Sequence, residues 1–357
     1  MAVVGLVLSS TAAACLGGGG PSVTVTSWGG AYTRACVLGY HEPFMAETGI
    51  RVQLEDYNGG LAQVRAQVDT GNVYWDVLDM EIADAVRACD EGLLEPIPTE
   101  LLDAAPDGTP AVDDFLPGTQ TECAVGTIFS SAIYAYNAEL FPDERPETME
   151  DFFDLEKFPG RRGLRRTPFV NLEWALIADG VPIDEVYATL DTPEGIDRAF
   201  ARLDTIKDEV VWWEAGAQPP QMLADGEVVM SGAFNGRIFN AQVTEKQPFV
   251  IVWDGQVLDV GQMGIVAGTR NYEEALAFVR FATTARSMSR LGRYISYSPT
   301  RRSAAPLITT HFDTGVEMDP HMPATPEHLE RALQNDWRWW SDNQDDLNER
   351  FAAWLAQ

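Results

Sequence analysis

The chain is poor in positive charge, histidine and cysteine, and each shortage narrows what it can do. Its 357 residues hold 25 Lys and Arg against 54 Asp and Glu, a formal net charge of −29 at pH 7. A field of that sign repels nucleic acid and anionic membrane surfaces and draws cations toward any cleft. Nucleic acid is therefore not an expected partner. The four histidines, His41, His311, His321 and His328, share no helical face. The four cysteines form no CxxC pair and no Cys/His cluster with zinc spacing. GxSxG, Walker-type, HExxH and GxGxxG patterns are all missing. No metal or cofactor is expected from these residues. No internal run reaches the ~20 apolar residues that a membrane span needs.

The apolar start differs from the rest. Ala2 to Ala14 has the length of a signal core and closes on Ala12-Ala13-Ala14-Cys15. That ending fits a secretory signal, and equally a bacterial lipobox with an acylated Cys15 and a Gly17–Gly20 tether. A basic n-region is missing. Export makes a disulfide permissible. Cys89 falls late in an expected helix and Cys123 enters an apolar strand, which suits pairing across an element junction. Cys36 lies inside an expected helix and is read as a buried free thiol.

The content is that of a globular protein large enough for two domains, with 45% hydrophobic residues. Ser22–Ser27 alternates as a strand and runs into Trp28-Gly29-Gly30-Ala31-Tyr32, a glycine turn opening a helix. Ile50–Tyr57 and Tyr74–Leu78 read as further strands, each followed by a helix, the second helix starting at Glu81. This β-α-β-α-β-α order predicts a doubly wound parallel sheet. Val125–Tyr136 is a β-run long enough to pass between two lobes, and Phe249–Trp253 with Gln256–Val266 forms a second such pair. Between them lies Glu209–Arg237. Its apolar run ends on Glu214, and Val228–Met230 reads as a strand that delivers Phe234, Asn235 and Arg237 at its carboxyl end. Ligands bind outside that end of the strands in open α/β sheets. A well-packed core with aromatics as filler fits the same residues. Trp28 and Tyr32, at i and i+4, share one face that could be core or cleft, and Trp212 and Trp213 cannot both face a cleft. Arg237 fits a surface ion pair as well as a site.

The blocks SVTVTSWGGAY, YWDVLDMEIADAVRACDEGLLEPI, GTIFSSAIYAYN, WWEAGAQPPQMLADGEVVMSGAFNGR and RYISYSPT resemble the spermidine/putrescine-type periplasmic solute-binding proteins of ABC importers. The resemblance spans roughly Ser22 to Thr300. It implies an α/β, two-lobed periplasmic-binding-protein fold, each lobe a mainly parallel sheet flanked by helices, with no catalysis. A leader would occupy 1–21, the first lobe 22–128 plus 256–298, and the second 129–255 plus 299–357. Crossings are expected near Ile128–Ser131, Trp253–Gly255 and Pro299–Ser303. The family's stacking aromatics carry over to Trp28, Tyr32, Phe234 and Tyr297. Its acids do not: Arg165-Arg166-Thr167-Pro168-Phe169 and Gly261 stand at those places.

A buried ammonium without a carboxylate is costly, so Glu81 and Glu214 are the candidate acids. The expected ligand is a small organic cation or zwitterion: polyamine-like, amino-acid-like or a quaternary amine. The alternatives are an anionic ligand met by Arg237, or by Arg165 and Arg166, and a secreted enzyme using Glu81 and Glu214 as a carboxylate pair. A ferric-ion binder would need adjacent tyrosines, and only Tyr294 and Tyr297 are available. The expected partners are a small-molecule ligand and an importer permease, for a monomer in the periplasm, free or tethered through Cys15.

Overall fold

In a computed structural model that describes residues 20–357, eleven strands join one continuous hydrogen-bonded sheet. They are β1 (Ser22–Ser27), β2 (Arg51–Asp56), β3 (Val77–Glu81), β4 (Leu94–Glu95), β5 (Ala124–Asn137) and β6 (Arg162–Arg165). β7 (Val210–Trp213), β8 (Met230–Phe234), β9 (Phe249–Val266), β10 (Ser298–Pro299) and β11 (Leu333–Gln334) complete it. The main order is β2-β1-β3-β9-β5-β8-β6-β7. Three parallel strands, β2, β1 and β3, lie at one end, and three more, β8, β6 and β7, at the other. The antiparallel pair β5 and β9 runs between them, from Ala124 opposite Gly264 to Asn137 opposite Phe249. This is the two-lobed arrangement the block order implies. The leader and the acylation site expected at Cys15 lie outside the described residues.

Local expectations shift by a few residues where apolar runs do not mark their own ends. The strand expected at Tyr74–Leu78 is β3, three residues later, and Val228–Met230 moves to Met230–Phe234. The second β-pair is one strand of 18 residues. Gly255 bends it with a φ of 69°, where the ladder with β5 skips from Val252 to Val257. That ladder slips between Gly126 and Ile128 and between Ala132 and Tyr134, so the strands bulge around the expected crossings. The helical tail is two pieces, Pro326–Leu329 and Trp337–Leu355, because β11 intervenes. Phe351 and Trp354 of the long piece pack on Phe200 and Trp212, with ring centroids 5.5–6.3 Å apart.

Cys89 and Cys123 form the disulfide, with Cα atoms 5.6 Å apart, and Cys36 is free and buried. The bridge joins the end of the Ile82–Asp90 helix to the residue before β5. Closing a loop of this length stabilises by about 3–4 kcal/mol in the chain-entropy model.

One buried acid makes stability depend on pH. Glu173, on the fully buried Asn171–Ala178 helix, accepts from Trp340 Nε1 at 2.6 Å and from the Tyr187 hydroxyl at 3.1 Å. Its Oε2 has no partner, and burial pushes its carboxyl up from 4.5 to about 7. The folded state therefore holds a proton that the unfolded chain releases near 4.5. Stability from this group is complete below that pH and falls as pH rises toward 7. Glu173→Gln is expected to match the wild type in chemical denaturation at pH 4 and to gain about 3 kcal/mol at pH 8. Equal wild-type and variant stabilities at both pH values would refute this.

Candidate functional site

A cavity opens where the carboxyl ends of β1, β3 and β8 meet the middle of β5 and β9. Chain breaks of this kind, with helices starting on the far side, leave backbone and side chains free to face a ligand. Trp28 follows β1, and Gly29 and Gly30, with φ of 69° and 56°, turn the chain into the helix bearing Tyr32. A Cβ at residue 30 would lie 3.0 Å from Arg237 Nη1 and 3.1 Å from Ala217 Cβ. That glycine therefore allows the close approach as well as the turn. Trp28, Tyr32, Phe234 and Tyr297 all line the cavity, so the i, i+4 pair faces the cleft. Tyr32 and Tyr297 have ring centroids 5.7 Å apart and lie buried on its floor. Gly236 makes room for them: a Cβ there would be 2.7 Å from the Tyr297 ring. Trp212 packs into the tail, and Trp213 lies buried with its ring 6.2 Å from that of Phe234.

Charges decide what the cavity can hold. Glu81 is in place but neutralised, its Oε1 2.7 Å from Arg165 Nη1. Arg165 lies 5.8 Å from the Trp28 ring centre and 5.6 Å from that of Phe234. Glu214 reaches the cavity rim, paired at 3.1 Å with Arg166, and the two side chains are 70% and 57% exposed. An ion pair so wet is worth little. Arg237 is 4% exposed and donates from Nη1 to the Gly29 carbonyl at 3.0 Å and from Nη2 to the Trp28 carbonyl at 2.8 Å. Its Nε has no acceptor, and it pairs with no carboxylate among the described residues. Burial lowers its pKa. The cleft thus contains a buried cation compensated only by neutral carbonyls.

Two cavity acids are not singled out by the sequence. Asp79 accepts a 2.7 Å hydrogen bond from the Tyr32 hydroxyl, and burial pushes it up to about 7. Asp259 takes Asn335 Nδ2 on Oδ1 at 2.7 Å and has no ion pair among the described residues. Burial, then the charge of Glu81, push it up to about 7 as well. Register explains their convergence. Glu81 is opposite Gly261 across the β3–β9 ladder, and Asp79 is opposite Met263. Cross-strand partners and residues two apart share a sheet face, so Asp79, Glu81 and Asp259 line one row. The acid sought at Gly261 stands two residues earlier. A signal exists for Asp259: it is a lone carboxylate inside the apolar run VLDV, where burial is costly without a purpose.

Among the described residues no group of three His, Cys, Asp or Glu side chains could hold a metal ion. Tyr294 leans on Phe312 while Tyr297 leans on Tyr32, so the two tyrosines do not converge as ferric ligands would. No helix among the described residues is long and apolar enough to cross a membrane.

Residues 39–324 match the family described as bacterial extracellular solute-binding protein. A gamma-aminobutyric acid-binding protein of Pseudomonas aeruginosa is 41% identical over 336 residues, 94% of this chain and 91% of that one. The PBP MotA of A. tumefaciens B6, solved in complex with glucopine, is similar with a TM-score of 0.85 and 28% identity, covering 94% and 99% of the two chains. A GABA receptor structure has a TM-score of 0.78 and 29% identity, covering 94% and 98%. A spermidine/putrescine binding protein of Streptococcus pneumoniae, at 17% identity and a TM-score of 0.68 over 94% of this chain and 100% of that one, shares the fold alone. The likeness is thus to solute-binding proteins at large, and the polyamine type has no special claim. This chain belongs to the bacterial extracellular solute-binding protein family.

Proposed function

We propose that this protein is the periplasmic substrate-binding component of an ABC importer and captures a short ω-amino acid zwitterion of the 4-aminobutanoate kind. One observation carries the reading. Glu81 and Glu214 are matched by Arg165 and Arg166, which leaves Arg237 as a buried cation and Asp259 as a buried carboxyl, neither with an ion pair among the described residues. A zwitterion supplies a partner to each. Its carboxylate meets the Arg237 guanidinium, and its ammonium meets Asp259. A diamine would set an ammonium against Arg237, and a dicarboxylate would set an anion against Asp259. The names of two relatives, a gamma-aminobutyric acid-binding protein and a GABA receptor, support the same ligand class. An enzyme reading has less support: Glu81 and Glu214 are both ion-paired, and the relatives are binders.

The proposal includes lobes of 22–128 plus 256–298 and 129–255 plus 299–357, with residues 1–21 as leader and Cys15 as a candidate tether. Arg237 to Trp28 and Arg165 to Glu81 would then be contacts between lobes, made on closure about β5 and β9. The lobes act as a monomer that delivers ligand to a membrane permease.

The test is calorimetric titration with three four-carbon ligands: 4-aminobutanoate, butane-1,4-diamine and butanedioate. Only the zwitterion is expected to bind with micromolar or better affinity, and it should be recovered unchanged. Tighter binding of the diamine or the diacid, or consumption of the zwitterion, would reject the reading.

A further inference from the structure

Of the three residues that β8 delivers at its end, Phe234 and Arg237 line the cavity and Asn235 does not. Asn235 opens the Asn235–Val243 helix and is fully buried. Its Oδ1 accepts from the Ser131 amide at 3.1 Å. Its Nδ2 donates to the Ser296 carbonyl at 2.6 Å and to the Ser296 hydroxyl at 3.3 Å. Ser131 and Ser296 are fully buried as well, so water is not at hand to replace these bonds. Each partner stands next to a cavity residue: Ser130 precedes Ser131, and Tyr297 follows Ser296. Ser131 is itself anchored, its hydroxyl donating to Gln256 Oε1 of β9 at 2.6 Å. Two residues beyond Ser296, β10 pairs with Phe129 and Ile128 of β5. Packing closes the same junction. A Cβ at Gly236 would lie 2.6 Å from Ile295 Cγ1, so the segment before Tyr297 rests directly on the first turn of the helix.

We propose that Asn235 is a positioning residue for ligand recognition, holding the Arg237 guanidinium and the Tyr297 ring in register across the middle of β5 without touching the ligand. The role rests on the zwitterion reading, in which Arg237 takes the ligand carboxylate. The demand on the side chain is specific. It must accept from one buried backbone N–H and donate to one buried backbone carbonyl. A short planar amide does both at once. Leucine has a similar shape and does neither. An ionised aspartate can only accept, and it would set a negative oxygen against the Ser296 carbonyl. A protonated aspartic acid regains both bonds. The geometry matters because binding groups work only when held to within about 0.5 Å of their productive places. Arg237 is two residues from Asn235 and Tyr297 is one residue from Ser296, so a slip at this junction moves both.

The test is calorimetric titration of 4-aminobutanoate into the wild type, Asn235→Leu and Asn235→Asp at pH 8 and pH 5.5, well below each melting temperature. Asp259 and Asp79 titrate in this range, so each variant is compared with the wild type at the same pH. Asn235→Leu should bind tenfold or more weaker at both pH values. Asn235→Asp should bind tenfold or more weaker at pH 8 and return to within threefold of the wild type at pH 5.5, since burial favours the protonated carboxyl there. A lower melting temperature with affinity kept within threefold in Asn235→Leu would reduce Asn235 to a structural tie and overturn the proposal. If Asn235→Leu does not fold, Asn235→Asp decides alone: a deficit that pH leaves unchanged, or no deficit at either pH, overturns it. In both cases the zwitterion reading stands. If the wild type itself does not bind 4-aminobutanoate, that reading falls first and this role with it.

Discussion

Asp259→Asn is expected to weaken 4-aminobutanoate binding by about 2–5 kcal/mol, the usual loss when one partner of a desolvated, hydrogen-bonded charge pair is removed. At about 1.4 kcal/mol per decade, that is roughly thirtyfold to several-thousandfold in Kd. The substituted side chain keeps the shape and can still accept from Asn335, so folding is not the source of the loss. pH separates charge from shape. Burial pushes the free Asp259 carboxyl up to about 7, and an ammonium beside it favours ionisation. Ligand uptake therefore releases a proton, and affinity falls roughly tenfold per pH unit as pH drops below 7. The Asp259→Asn variant should be flat over the same range. Asp79, also pushed to about 7 and bonded to Tyr32, is the other cavity acid that could titrate there. Any slope that survives in Asp259→Asn belongs to it. A variant that keeps both wild-type affinity and the full slope would show that Asp259 is not the counter-ion.

Arg237→Met should be as damaging and should also reverse the charge preference. The methionine has a similar reach but no charge and no fork of donors, so the ligand carboxylate loses its bidentate partner. Loss of zwitterion affinity by about 2–5 kcal/mol is expected. Butane-1,4-diamine, expected to be excluded in the wild type by the buried guanidinium, should gain affinity, because its second ammonium no longer meets a like charge. The carbonyls of Trp28 and Gly29 would also lose their donors, at about 1–3 kcal/mol each where no water replaces them. A lower melting temperature is therefore part of the expected result. Arg237→Lys restores the charge without the fork and should recover exclusion of the diamine before it recovers affinity. If neither variant changes the order of the three four-carbon ligands, Arg237 is only a structural tie.

Much of the site is legible in residue order alone, and what is not has a common cause. Trp28, Tyr32 and Phe234 follow strands at glycine turns, whereas Tyr297 stands out only through the resemblance to the family, and all four line the cavity. Glu81 stands out at the start of its helix, yet its neutralising partner does not, since Arg165 comes from a strand 84 residues later. Glu214 ends an apolar run and looks like a site acid, but its side chain points to solvent. Asp259 is hidden behind Gly261 when a family position is followed instead of the two-residue period of the strand. The 18-residue β9 reads as two strands split at Gly255, where a glycine normally ends a strand and here only bends it.

The sequence by itself determined the class of fold, the pairing of Cys89 with Cys123 and the aromatic walls of the cleft. The fold class follows from local period and turn chemistry, which act over a few neighbouring residues, and the disulfide from the scarcity of cysteine, which leaves few pairings. Only the tertiary structure decided which charges are left unmatched. Glu81 with Arg165, and Arg237 with the carbonyls of Trp28 and Gly29, are contacts between residues 84 and about 200 positions apart. Their effect depends on burial as much as on proximity. A guanidinium in water needs no partner, and the same group buried to 4% exposure beside neutral carbonyls is left short of one. That difference, which no local pattern encodes, is what leaves an unmatched buried cation in the cleft of an acid-rich chain.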